Sequence, residues 1–223
     1  FWLVFTSLAF ELRVIPSESM VPTLLVGDRV TVAKFAYGYD RYSPALGVGR
    51  LFSKEDKSDP NQRMFGSMPK RGDVVVFQHP HDNIVLIKRL IGLPGDTIQM
   101  VDGVIILNGE PVEREFVRRV RYKPKPRKAG FSDTVDAVEY RETLPSGVSY
   151  LTHDMVNKIG YENTPVFTVP EGHVFMMGDN RDNSEDSRAF RGHPALAAAE
   201  PYGWDHSFQP LSLIHISEPT RQD

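Results

Sequence analysis

Two serines and a lysine are the residues of this chain best suited to covalent chemistry. Ser17 and Ser19 stand in Pro16-Ser17-Glu18-Ser19-Met20-Val21-Pro22, and Lys88 in Ile84-Val85-Leu86-Ile87-Lys88-Arg89-Leu90-Ile91. A serine hydroxyl becomes a useful nucleophile only when an adjacent base takes its proton. A lysine can be that base if its amine is neutral, and burial favours the neutral form by penalising the ammonium. Strand alternation puts Ile84, Leu86, Lys88 and Leu90 on one face, so a buried face would desolvate Lys88 among aliphatics. The strand alone equally allows a lysine that reaches out to the sheet edge. A lone Ser-x-Ser, likewise, is more often a turn or a helix cap, although Pro16 and Pro22 stiffen this one. The histidines supply no convincing alternative base: His79 and His81 flank Pro80, and the other five stand in unpatterned settings. The absence of cysteine excludes disulfides, thiolate metal sites and a thiol nucleophile.

The elements that must position these residues read as β-strands. Arg29–Phe35, Asp73–Phe77, Ile84–Ile91, Asp96–Val101, Val104–Leu107, Val166–Val169 and His173–Met177 are short Val- and Ile-rich runs bounded by turn-forming residues. Asp102-Gly103 predicts a tight hairpin, because both residues tolerate the positive φ a two-residue turn demands. Tyr39–Pro69 and Lys123–Glu162 are polar and punctuated by Gly or Pro, which predicts two long loops or insertions. Arg118, Arg119, Arg121, Lys123, Lys125, Arg127 and Lys128 cluster around Pro124 and Pro126 and read as a solvated extended loop rather than a nucleic-acid surface. Phe1–Phe10 is apolar but too short for a spanning helix, which needs about 20 residues. We expect the end of a clipped membrane anchor there, with Glu11 and Arg13 at its exit into water.

Further signals converge on one family. Ser17-Glu18-Ser19-Met20-Val21-Pro22-Thr23-Leu24, Lys88-Arg89 and Gly178-Asp179-Asn180-Arg181-Asp182-Asn183-Ser184-Glu185-Asp186-Ser187-Arg188 together resemble the bacterial type I signal peptidases, membrane-tethered Ser/Lys serine proteases. The resemblance runs from roughly Leu12 to Arg188 and implies a mainly β fold: an antiparallel catalytic sheet with an inserted β-rich subdomain. On it, residues 1–12 are the end of the anchor, 13–93 and 171–188 the catalytic core, and 94–170 the insertion. Ser19 matches the nucleophile, Lys88 the general base, Ser17 a hydroxyl of the oxyanion hole, and Ser184 a serine that hydrogen-bonds the lysine amine. Asp179 with Arg89, and Asp186 with Arg188, match supporting ion pairs. Ile15, Pro16, Met20, Leu24, Val76, Leu86 and Ile87 match shallow apolar pockets that exclude bulky side chains. The implied partners are signal-peptide-bearing preproteins and a membrane lipid surface, on the outer face of the bacterial cytoplasmic membrane, with no nucleic acid, metal or cofactor. Asp179, Asp182, Asn183 and Asp186 could offer oxygens to calcium, but the spacing is not that of a calcium loop and Arg181 and Arg188 oppose a dication.

Other readings fare less well. A self-cleaving repressor-type Ser/Lys protease would lack the apolar lead and the long insertion. A β-lactamase places its Ser and Lys three apart, a spacing absent here. Eukaryotic and archaeal signal peptidases carry histidine at the lysine position. A non-catalytic β-rich membrane-surface binding module remains the alternative outside enzymology. The likeness fails after Arg188, where Ala189-Phe190-Arg191-Gly192 replaces an aromatic, Trp-Gly and a returning strand. Ser212–Gln222 resembles translated sequencing adapter. We expect residues 189–223 to be a frameshifted or chimeric tail lying as coil or ill-defined helix, with a sheet edge left unpaired.

Overall fold

The computed structural model describes residues 10–33, 68–78, 84–123, 134–156, 161–188 and 214–216. Thirteen strands fill most of them: β1 (Phe10–Val14), β2 (Arg29–Ala33), β3 (Val74–Gln78), β4 (Val85–Gly92), β5 (Thr97–Val101), β6 (Val104–Leu107), β7 (Glu110–Pro111), β8 (Glu113–Tyr122), β9 (Val135–Thr143), β10 (Ser149–Met155), β11 (Phe167–Thr168), β12 (Phe175–Met177) and β13 (Ile214–Ile216). They build a six-stranded sheet ordered β1-β2-β13-β3-β4-β12, a four-stranded sheet β11-β5-β6-β7 and a three-stranded sheet β10-β9-β8. All the strand pairings are antiparallel, so the fold is mainly β as expected.

The strand of the large sheet that carries the lysine is β4, between β3 and the edge strand β12. Its N-terminal end is exposed and everything from Ile87 to Gly92 is buried, on both faces. One face carries Ile87 into a cluster with Ile15, Met20, Leu24, Val30, Val32 and Val76. Leu90 goes to another, with Val75, Phe77, Val174 and Met176. A third cluster joins Ile91, Phe175 and Met177 to the small sheet through Ile98, Met100, Ile105 and Leu107. The β5–β6 hairpin turns at Asp102-Gly103 with φ of 47° and 77°, the positive values this turn demands.

Four expectations are corrected. Lys123–Glu162 is not one long loop, because β9 and β10 lie inside it and pair in continuous register from Thr143↔Ser149 to Ala137↔Met155. Their buried positions include Glu139, Glu142, Thr152 and His153 beside Ala137 and Tyr150, so the apolar alternation that marks a half-buried strand is missing from the sequence. The basic run is likewise strand up to Tyr122: Arg118 pairs across to Glu139 at 2.8 Å and Arg121 to Asp136 at 2.5 Å. Opposite charges facing across a ladder hold together an arginine-rich edge that reads as loop in one dimension. Lys125, Arg127 and Lys128 lie outside the described residues.

Phe10–Leu12 is strand rather than the end of an anchor helix, paired with β2 from Phe10↔Ala33 to Val14↔Arg29. Glu11 and Arg13 bond each other at 2.6 Å, while Phe10, Leu12 and Val14 are exposed. Residues 1–9 lie outside the described residues, and among those described no helix is long and apolar enough to cross a membrane. The tail, expected as coil, supplies β13, which fills the gap between β2 and β3 through His215↔Ala33 and Ile214↔Val76. Two strands with facing unpaired edges accept an extended segment through backbone hydrogen bonds alone, and Ile-His-Ile has the β-branched character to supply one.

Candidate active site

Ser19 sits in a tight turn between β1 and β2, closed by hydrogen bonds from Val21 N to Glu18 O (3.1 Å) and from Leu24 N to Met20 O (2.9 Å). Met20 is wholly buried beneath it and anchors the turn to the core. Lys88 comes from the middle of β4, flanked by pairing to β3 at Val75↔Lys88. The two meet directly: Lys88 Nζ lies 2.9 Å from Ser19 Oγ and donates a second bond, at 3.0 Å, to Ile87 O. Ser17 Oγ stands 3.4 Å from Ser19 Oγ. Both partners of the central contact are buried, Lys88 at 3% exposure and Ser19 at 6%.

Burial sets the protonation state. It pulls the Lys88 ammonium below its ordinary value of 10.5, against the opposing pull of the Asp186, Asp179 and Glu185 carboxylates. No carboxylate bonds the amine, so desolvation prevails. A buried amine of lowered basicity in hydrogen-bond contact with a serine hydroxyl is the pairing a Ser/Lys nucleophile needs.

The surrounding charges are paired off. Arg89, next on β4, grips Asp179 through two bonds, Nε to Oδ1 at 2.8 Å and Nη2 to Oδ2 at 2.7 Å, and gives a third to Gly72 O at 2.7 Å. Arg188 holds Asp186 the same way, at 2.9 Å and 2.8 Å. Burial works against the Asp186 carboxylate, but Arg188 outweighs it and holds its pKa below the ordinary 3.8. Both ion pairs expected from the sequence are therefore present. Ser184 reaches the same buried region, where its hydroxyl lies close enough to Asp186 to help lower that carboxylate's pKa but makes no hydrogen bond of good geometry, so the expected bond to the Lys88 amine is not made. Gly178 lies against it: a Cβ there would fall 2.2 Å from Ser184 Oγ and 2.5 Å from the Ser19 carbonyl oxygen. Only glycine lets these two segments approach so closely.

A family model described as "Signal peptidase, peptidase S26" matches residues 1–200. The chain belongs to that family. Signal peptidase I of Rickettsia bellii (strain OSU 85-389) is 39% identical over 189 residues, covering 81% of this chain and 60% of that protein. Signal peptidase I of Rickettsia prowazekii (strain Madrid E) is 38% identical over 199 residues, covering 83% of this chain and 67% of that protein. The chain thus spans 60% of the length of the first of these relatives. A crystal structure of a signal peptidase I from Enterococcus faecalis V583 is 24% identical and covers 56% of this chain and 87% of that one, with a TM-score of 0.30.

Of the apolar residues that match the signal peptidase pockets, Ile15, Met20, Leu24, Val76 and Ile87 pack in one cluster beside Ser19. Leu86 packs instead against the cluster of Val75, Phe77 and Leu90 on the other side of the sheet, and Pro16 is exposed. Alternation along β4 puts Leu86 and Ile87 on opposite faces of the strand.

Sequence reasoning also passed over several residues. Thr23 Oγ1 hydrogen-bonds Asp179 Oδ2, and the Arg89 guanidinium lies 4.1 Å from the centroid of the Tyr150 ring. Arg181 forks onto Glu142 with bonds of 2.6 Å and 2.5 Å, which ties the 3₁₀ turn Arg181–Asn183 to β9. His153, buried on β10, bonds Glu139 at 3.1 Å. The signal that could have found them is charge in the middle of strand-like runs, which must be compensated if it is buried.

Proposed function

We propose that this chain is the catalytic part of a signal peptidase I, a serine endopeptidase that removes signal peptides from exported preproteins. The single observation that carries the reading is the 2.9 Å contact between the buried Lys88 amine and Ser19 Oγ. Neutral Lys88 takes the Ser19 proton as Oγ attacks the scissile carbonyl carbon. The ammonium so formed then protonates the leaving amine as the peptide bond breaks. A water activated by the same lysine hydrolyses the acyl-enzyme and frees Ser19. Ser17, beside the nucleophile, donates its hydroxyl to the oxyanion.

Residues Ile15, Met20, Leu24, Val76 and Ile87 form the apolar surface that would receive small side chains before the cut. Residues 13–93 with 171–188 carry the catalyst, and residues 94–170, with their own two sheets, form an inserted subdomain. The exposed Phe10, Leu12 and Val14 continue the apolar sequence of residues 1–9 and support attachment to a membrane lipid surface. We place that surface on the outer side of the bacterial cytoplasmic membrane.

The test is cleavage of a signal-peptide substrate with Ala at the first and third positions before the cut. Ser19→Ala and Lys88→Ala should each lower kcat by about 10⁴-fold or more, as loss of a nucleophile or its base does elsewhere. Lys88→Arg should not restore the rate, because a guanidinium stays protonated. Activity in either alanine variant within tenfold of the parent would overturn the assignment, as would equal cleavage of substrates bearing Leu at those positions.

A further inference from the structure

Glu18 lies between the two serines, and its side chain reaches away from them to a second segment of the chain. Its carboxylate Oε2 accepts a hydrogen bond from Asn183 Nδ2 at 3.0 Å. Its backbone carbonyl accepts from Asn180 Nδ2 at 3.1 Å, and the next carbonyl, that of Ser19, accepts from Asn180 N at 3.0 Å. Asn180 precedes and Asn183 ends one turn of 3₁₀ helix, closed by Asn183 N to Asn180 O at 3.0 Å. Three residues complete a turn of that helix, so side chains at i and i+3 stand over one another. Both carboxamides therefore face the nucleophile turn together. Their orientation is fixed by chemistry, since a carbonyl and a carboxylate can only accept and each amide must present its NH₂.

The turn itself is buried and braced. Asn180 is wholly buried, and its Nδ2 also lies 3.3 Å from Tyr122 Oη at the end of β8. Arg181 is bound bidentately to Glu142 on β9. The segment that grips Ser19 is thus braced on two sides, against the inserted three-stranded sheet through Asn180 and Arg181 and against β4 through the Asp179–Arg89 pair.

We infer that Glu18 is a positioning residue: its bond to Asn183 closes a clamp that fixes Ser19 Oγ at hydrogen-bonding distance from Lys88. This rests on the Ser19/Lys88 reading above. The two bonds to Asn180 hold the peptide backbone and survive any side-chain change at position 18. The Glu18–Asn183 bond is the part of the clamp made by a side chain of the Ser17–Ser19 turn, so a change at position 18 reaches it while the backbone bonds stay. A misplacement of the attacking atom of about 1 Å can cost on the order of 100-fold in rate without weakening substrate binding.

Glu18→Ala in the full chain should therefore lower kcat by roughly ten- to a hundredfold with KM unchanged. Glu18→Gln, whose amide oxygen can still accept from Asn183, should recover most of that loss and leave the pH profile in place. Asn183→Ala should lower kcat in the same direction as Glu18→Ala, and the loss in the double variant should fall short of the sum of the two, because both break the Glu18–Asn183 bond. Ser19→Ala serves as the control: if it retains activity, the catalytic reading has failed and not the clamp. With Ser19→Ala inactive, parent-like kcat in Glu18→Ala overturns the clamp, and so does additive loss in the double variant. A pH limb displaced in Glu18→Gln would show that the carboxylate acts on Lys88 through its charge and would also overturn it. Amide hydrogen exchange of a peptide spanning residues 17–24 gives a readout independent of turnover. Exchange there should quicken in Glu18→Ala and return in Glu18→Gln; where turnover is too slow to measure, unchanged exchange decides against the clamp.

Discussion

Lys88 and Arg89 are neighbours on one buried strand, and their side chains leave it on opposite faces into opposite company. Arg89 is met by a carboxylate placed for two parallel bonds, a carbonyl and a tyrosine ring. Lys88 is met by a hydroxyl and a carbonyl and by no carboxylate. Burial penalises both cations, yet the outcomes diverge: Asp179 holds the Arg89 guanidinium above its ordinary value, whereas desolvation leaves Lys88 below its own. The difference teaches how one strand can carry a permanent charge that stabilises structure and, one residue earlier, a base that must lose its charge to work. The decisive variable is whether a carboxylate comes within bonding distance.

The Arg89 face should give the larger effect when broken. Asp179→Ala strands a buried guanidinium and should cost about 3–5 kcal/mol of stability, read from urea denaturation. A loss below about 1 kcal/mol would mean that water reaches Arg89 and that the two faces do not differ as described.

The Lys88 face should answer to pH instead. Below the lysine's folded pKa the rate should rise by about tenfold per pH unit, as the neutral amine fraction grows. It should level off below the ordinary lysine value of 10.5. Stability responds in the next window: between the lowered folded pKa and 10.5 the unfolded chain binds more protons, so raising pH there favours the folded state. Across the same buffers, initial rates should therefore climb first and level off where the denaturation midpoint begins to rise. A rate flat from pH 6 to pH 10 would remove Lys88 from the base role.

How much of this was legible in the sequence follows the same divide. The apolar environment of Lys88 could be read from alternation along Ile84–Ile91, and the Asp102-Gly103 hairpin from its dipeptide, because both depend on neighbours in the chain. The Asp179–Arg89 and Asp186–Arg188 pairs and the core of Ile15, Met20 and Leu24 came through the motifs. What stayed hidden depends on partners far along the chain. Glu139, Glu142 and His153 occupy buried positions of β9 and β10 that apolar residues would otherwise mark, and Arg118, Arg114 and Arg181 compensate them. β13 escaped for a related reason: its place between β2 and β3 is defined by the edges it meets, not by a pattern of its own.

Ser184 gives the smallest expected effect and the sharpest test of what accompanies Lys88. Its hydroxyl is buried near Asp186 but makes no hydrogen bond of good geometry, so Ser184→Ala removes a desolvated group that returns little to the folded state. Leaving a buried polar group unsatisfied costs about 1–3 kcal/mol, and relief of part of that should offset the small loss of packing. The denaturation midpoint should be unchanged or slightly raised, and kcat should fall by less than about tenfold, since Lys88 already bonds Ser19 without help from Ser184. Rotation about one side-chain torsion is all that separates this hydroxyl's present orientation from others open to it. A fall in kcat of about 100-fold with stability intact would therefore mean that Ser184 turns to the amine during catalysis, and that Lys88 is held by a second hydroxyl when it acts.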